Sequence, residues 1–160
     1  MAETSSPQKK NEVKVLAVNK KARFEYEIIE TMECGLELAG TEVKSIKAGQ
    51  FSFADSYALV ENDELWLEAL HVTPYAFGNI HNREPARRRK LLAHKQEIKR
   101  LKRKTDEKGL TLVPMKFYLK KGIVKVEIAT CRGKKLVDKR HAIKARDVQR
   151  DIDRDFRKRI

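Results

Sequence analysis

Leu112-Val113-Pro114-Met115-Lys116-Phe117-Tyr118-Leu119, then Lys120-Lys121-Gly122, then Ile123-Val124-Lys125-Val126-Glu127-Ile128, is the stretch on which the fold turns. Leu112, Met115, Phe117 and Leu119 lead into a Lys-Lys-Gly turn, and Val124, Val126 and Ile128 return from it. Lys116, Lys120, Lys125 and Glu127 fall on the opposite face. Alternation about a Gly-containing turn is the pattern of a half-buried antiparallel hairpin. Pro114 cannot donate a ladder hydrogen bond, so it predicts an edge or a bulge.

Working outward, the same period recurs. Val13 to Val18 is a strand candidate, and Phe24, Tyr26 and Ile28 alternate with Glu25 and Glu27. The doublet Ile28-Ile29 breaks that register and predicts a bulge. Gly35 permits a kink before Leu36 and Leu38. Phe51, Phe53, Tyr57 and Leu59 share one face of a further strand, and Leu65 to Val72, with Trp66, forms the next. Glu61-Asn62-Asp63 has the chemistry of the turn between them. Phe51, Phe53 and Phe117 read as core.

Two segments read as helical. The first opens at Gly40-Thr41, with Thr41 as N-cap and Glu42 at the positive end, and stops at Gly49. Val43 and Ile46 form its inner face. The second runs from about Pro85 to Lys104, with Gly109 closing the segment. Leu91, Ile98 and Leu101 lie along its inner stripe. Leu92 falls about 100° from Leu91 on a helical wheel, beside Arg88, Arg89 and Lys99. His71 to Pro85 is a loop. The fold class is therefore mainly β with helices (α+β), five or six short strands at the spacings of a small barrel or sandwich. Oligonucleotide-binding (OB) barrels belong to this class, and alternation alone does not choose among barrel topologies.

Residues 1–12 read as a disordered leader, 13–131 as one β domain and 132–160 as a basic tail. The tail carries Val148, Ile152, Phe156 and Ile160 at every fourth position, with acid–base pairs at spacings of three or four. That is a latent helix, disordered when free and folded on a partner.

Charge divides at Pro85. Residues 1–84 hold 9 Lys and Arg against 14 Asp and Glu, and residues 85–160 hold 27 against 9. The basic residues concentrate in 85–108 and 131–160, which points to a polyanion and above all to nucleic acid. Arg87, Arg88, Arg89 and Lys90 are the leading candidates for phosphate contact. No apolar run spans a bilayer. Cys34 and Cys131 read as buried, idle thiols. Gly133-Lys134 lacks the first Gly and the Ser/Thr of a phosphate-binding loop. His71, His81, His94 and His141 are scattered, and neither a metal-ligand spacing nor a nucleophile–base constellation is present. No metal, cofactor or catalytic residue is expected.

Six segments in order carry a resemblance. They are Asn19-Lys20-Lys21-Ala22-Arg23, Gly40-Thr41-Glu42-Val43-Lys44-Ser45 with Ala48-Gly49, and Asp55-Ser56-Tyr57. Arg89-Lys90-Leu91-Leu92-Ala93-His94-Lys95 and Gly109-Leu110-Thr111-Leu112-Val113-Pro114 follow, then Gly133-Lys134-Lys135 with Asp138-Lys139-Arg140. From Asn19 onward the chain resembles the small protein B, or SsrA-binding protein, family. The resemblance implies an OB-like barrel with flanking helices and a basic C-terminal tail. It implies a cytoplasmic, monomeric, non-enzymatic adaptor that binds the tRNA-like part of transfer-messenger RNA and delivers it to stalled ribosomes. The tail would enter the empty message channel and become helical there.

Position by position, the resemblance assigns Glu33, Leu92 and His94 to the RNA elbow, with Asn19 and Lys20 also on the RNA-binding side. It assigns Gly133, Lys134, Lys135, Asp138, Lys139 and Arg140 to the decoding region, with Phe156 further along the tail. Leu92 agrees with the helical wheel. The wheel sets His94 nearer the inner stripe, so its role rests on the resemblance. The chain has Val137 where the family usually has His or Tyr, Ala129 where Gly is common and Val148 where Trp is common. The competing expectations are a ribosome-assembly protein that binds RNA without transfer-messenger RNA, and an RNA-modifying enzyme.

Overall fold

The computed structural model describes residues 13–53 and 55–158. The leader over residues 1–12 and the last apolar position of the tail, Ile160, lie outside the described residues, as do the side chains of residues 136–138. In chain order the elements are β1 (Val13–Val18), α1 (Lys20–Glu25), β2 (Tyr26–Leu36), α2 (Gly40–Lys47), β3 (Phe51–Ser52), β4 (Tyr57–Glu61) and β5 (Glu64–Glu68). There follow β6 (His71–Val72), β7 (Arg89–Leu92), α3 (Lys95–Lys108), β8 (Thr111–Lys120), β9 (Ile123–Gly133) and α4 (Leu136–Lys158).

Seven strands form one antiparallel sheet, β1-β8-β4-β5-β7-β2-β9, and β9 pairs back onto β8. That return closes β8, β4, β5, β7, β2 and β9 into a barrel, which leaves few open edges. The hairpin expected at 112–128 is the β8–β9 pair, with Leu119 opposite Val124. A bulge between Pro114 and Lys116 shifts its register. Leu112 and Phe117 therefore both face the barrel interior, while Val113 and Met115 face out. The Ile28-Ile29 doublet also produces its bulge, between Ile28 and Glu30 opposite β9.

The interior is filled by Ile46, Leu65, Leu67, Leu70, Leu91, Val126 and Ile128. Phe51, Phe53 and Phe117 pack as a triangle with ring centroids 5.0–5.7 Å apart. A second cluster lies outside the barrel wall, where Ala22 of α1 covers Val113, Met115, Ala129 and Cys131. Both cysteines are free and buried. Burial pushes the Cys34 thiol up to about 12 and that of Cys131 up to about 11, so both stay protonated and unreactive at neutral pH.

Three expectations are corrected. The segment from Pro85 is not a helix: Arg89–Leu92 is β7, which pairs with β5 and β2, and the helix begins only at Lys95 and continues to Lys108. The barrel needs a strand between β5 and β2, and Leu91, opposite Leu65 and Leu36, supplies its apolar inward position. Strand pairing outweighs local helix propensity here. Tyr57 leaves the Phe51/Phe53 face: β3 and β4 are separate strands, and Tyr57 is exposed. The N-cap of α2 is Ala39, whose N–H donates to Glu42 Oε1 at 3.0 Å, while Thr41 Oγ1 donates to His81 O at 3.2 Å.

Candidate nucleic-acid interface

The β-ladders assemble the candidate site. In an antiparallel pair, residues directly opposite point to the same face. Gly35 of β2 lies opposite Leu92 of β7 on one side and Lys125 of β9 on the other, and Lys125 lies opposite Tyr118 of β8. Leu92, Gly35, Lys125 and Tyr118 therefore form one row across the outer barrel wall. Glu33 stands two residues before Gly35 on that face. Helix α3 starts immediately past β7, with His94 as its N-cap.

These elements enclose a depression of about 390 Å³ lined by Glu33, Gly35, Leu92, Ala93, His94, Glu97 and Lys125. Glu33, Leu92 and His94, which lie up to 61 residues apart in the chain, meet here. Leu92 is 51% exposed, a large apolar side chain held at the surface. A Cβ on Gly35 would stand 3.3 Å from Leu92 Cβ, tighter than ordinary contact, so a larger residue there would make Leu92 give by a few tenths of an ångström. The Tyr118 hydroxyl donates to Glu33 Oε2, and Lys120 Nζ lies 3.5 Å from Oε1. Those contacts, the tyrosine's first, hold the Glu33 carboxyl below its ordinary range and keep it ionised. The His94 N–H donates to Glu97 Oε2 at 3.0 Å, which fixes the first turn of α3. An oriented acceptor, an apolar ledge, an imidazole and a lysine together suit base and sugar contacts beside phosphate. Gly35, Tyr118 and Lys125 were not among the sequence candidates. Their only signal is cross-strand register, which requires the pairing to be known.

The basic run behaves differently from expectation. Arg89 is 0% exposed and faces the interior. Its guanidinium bonds Glu42 Oε2 at 2.5 Å and the carbonyls of Leu70, Arg87 and Pro85. As a phosphate contact it is corrected: it is a structural ion. Arg87 also binds Glu42, Arg88 reaches Glu61 and Glu68 while lying over the Trp66 ring, and Lys90 pairs with Glu64 at 3.0 Å. Strand alternation sends Arg88 and Lys90 onto the acidic β4–β5 hairpin. Helix α3 presents Lys95, Lys99 and Arg103 to solvent, without an ion pair among the described residues.

Asn19 is likewise corrected. It is buried, its Nδ2 donates to Pro114 O at 3.1 Å, and its Oδ1 accepts from the Ala22 N–H at 3.1 Å. It caps α1 and clasps it to β8. Lys20 beside it is exposed. In the tail, Gly133 ends β9 opposite Tyr26, and the Lys134 N–H donates to Glu25 O at 2.9 Å. The expected boundary at 131/132 thus falls inside β9. Lys135, Arg140 and Phe156 are exposed, and Lys139 is half-buried. Asp138 lies in the first turn of α4.

The model of the SmpB protein family matches residues 16–158. The chain belongs to the SmpB family. It is 51% identical to the SsrA-binding protein of Treponema denticola over 148 residues, 92% of this chain and 96% of that one. It is 56% identical to the SsrA-binding protein of Nostoc punctiforme over 147 residues, 91% and 95% of the two chains. A solved structure of tmRNA–SmpB at the centre of the bacterial ribosome superposes with a TM-score of 0.65 at 47% identity, covering 81% of this chain and 94% of that one. SmpB membership fits the closed barrel and the helices around it. No described helix is long and apolar enough to cross a membrane.

Proposed function

We propose that this SmpB-family chain is the protein adaptor of trans-translation, holding the tRNA-like part of transfer-messenger RNA and delivering it to stalled ribosomes. The observation that carries the reading is family membership over nearly the whole chain, joined to the meeting of Glu33, Leu92 and His94 in one depression. In it Leu92 packs on the RNA elbow, the Glu33 carboxylate accepts from base or ribose donors, and His94 and Lys125 lie beside the backbone. Lys95, Lys99 and Arg103 on α3 and Lys20 on α1 add phosphate contacts. The role is non-enzymatic and cytoplasmic, and the protein acts as a monomer on the RNA.

The tail supplies the second half of the role. Gly133, Lys134 and Lys135 leave the barrel at Tyr26, and Asp138, Lys139 and Arg140 open the helix that reaches the decoding region. Disordered when free, the helix would form in the message channel with its cations against ribosomal RNA and Phe156 on its thin apolar line. Ala129 fills the α1 contact where Gly is common, and Val148 is an exposed position of α4.

Sequencing the RNA that copurifies with the full chain tests this reading. A single dominant tRNA-like species is expected. Recovery of ribosomal RNA alone would replace the proposal with the ribosome-assembly alternative.

A further inference from the structure

The two most exposed large apolar side chains of the described residues are neither in the depression nor in the tail. They are Ile80, 91% exposed, and Phe77, 83% exposed, in the loop between β6 and β7. This loop enters β7 at Arg89, the end of the strand opposite to Leu92.

The loop is built to hold them out. The Asn82 side chain brackets Tyr75, accepting from its N–H at 3.0 Å and donating to its carbonyl at 2.9 Å. Gly78 N–H donates to Tyr75 O at 3.0 Å, and His81 N–H to Gly78 O at 2.8 Å. A Cβ on Gly78 would stand 2.6 Å from Asn82 Oδ1, so this clasp requires glycine. Thr41 Oγ1 ties the far side of the loop to α2 through His81 O. The Phe77 ring stands edge-on to Tyr75 at 5.7 Å, and Lys44 lies over the Tyr75 ring at 5.1 Å. Lys44 and Arg83 are exposed, and Arg83 follows Phe77 on the same loop.

An exposed ring on an ordered loop with cations about it is the chemistry of a base-stacking platform. The ring takes the face of an unpaired base, and the cations take the adjoining phosphates. An apolar protein partner would leave Lys44 and Arg83 unmatched, whereas RNA matches both. We infer that the Phe77–Ile80 loop is a second RNA contact, separate from the Glu33–Leu92–His94 depression, that stacks on an unpaired nucleotide of the bound RNA. The inference rests on the proposed RNA-binding function.

The test is equilibrium binding of the full chain to a transcribed tRNA-like RNA over a salt series. Both side chains are solvent-exposed, so Phe77→Ala with Ile80→Ala should leave the thermal midpoint unchanged. Affinity should fall about 5- to 150-fold, the usual range when one base loses its stacking partner. The salt slope should stay as in the parent, because stacking releases no counterion. Lys44→Ala should instead lower the slope by about 0.7–0.9. Phe77→Trp should retain affinity. If the parent binds the RNA and the double variant binds equally well, the loop inference is overturned and the proposed function stands. If the double variant keeps its affinity but loses tagging on stalled ribosomes, the loop serves a contact on the ribosome and not the bound RNA, and the inference is again overturned. If the parent does not bind the RNA, both readings fall.

Discussion

Leu92 and Glu42 show how far a single side chain's meaning depends on which face of a strand or helix it occupies. Leu92 points out beside Gly35, so Leu92→Ala removes a half-exposed side chain and should cost about 1 kcal/mol of stability. RNA affinity should fall roughly tenfold, as when a stacking partner is removed. Paired urea unfolding and RNA titration check this, and a melted domain with undiminished affinity of its folded fraction would place Leu92 in the core. Glu42 is buried between two guanidiniums. Burial pushes its carboxyl up, but Arg87, the Ala39 N–H and Arg89 together bring it below the ordinary range. Because the folded value lies below the unfolded one, Glu42 stabilises the fold above about pH 4.3, and that contribution is lost as pH falls through the folded value. Glu42→Gln strands Arg89 in the core and should cost about 3–5 kcal/mol at neutral pH. Its stability should also vary less with pH than the parent's between about pH 5 and pH 2, measured by urea unfolding.

Strand β7 and helix α4 are elements with opposite fates. The run from Pro85 has good helix formers, yet four of its residues become a strand because the barrel is open without them. Helix α4 has the reverse problem. Ile143, Val148, Ile152 and Phe156 are all exposed along it. Its described ties to the barrel are few: Arg146 lies over the Phe24 ring at 5.5 Å, and the Lys134 amine just before the helix reaches Arg23 O at 3.4 Å. An isolated helix with so thin an apolar line is marginal in water. Asp151→Pro should therefore cost about 3 kcal/mol of helix stability while leaving the unfolding midpoint and RNA affinity of the free protein unchanged. Tagging on stalled ribosomes should drop, and normal tagging would show that the tail works as an extended strand. Truncation is best made after Lys135, because β9 runs to Gly133 and Cys131 is fully buried. That variant should keep RNA affinity and lose tagging.

At the scale of the whole molecule, the charge split at Pro85 closes on itself. Among the described residues, eight cations of the basic half, Arg87, Arg88, Arg89, Lys90, Arg100, Lys102, Lys104 and Lys120, pair with carboxylates of the acidic half. The cations left for RNA are chiefly those on the outer face of α3 and in the tail. Lys99→Ala with Arg103→Ala should lower the salt slope of RNA binding by about 0.7–0.9 for each phosphate no longer neutralised. Arg88→Ala should leave that slope as it is, because Arg88 already faces Glu61 and Glu68; a reduced slope would return it to the RNA. The amino-acid sequence by itself determined what depends on local order: the β8–β9 hairpin, both bulges, the aromatic core, α2, the idle thiols and the family motifs. Alternation, turn chemistry and motif spacing are properties of neighbours along the chain, and neighbours suffice to express them. Only the tertiary structure decided that Arg89 is a core ion, that Asn19 is a clasp, that β7 is a strand, and that Glu33, Leu92 and His94 share one depression with Gly35 and Lys125, held from beside by Tyr118. Those outcomes are set by which strands pair and in what register, and barrel closure joins residues that no local period relates.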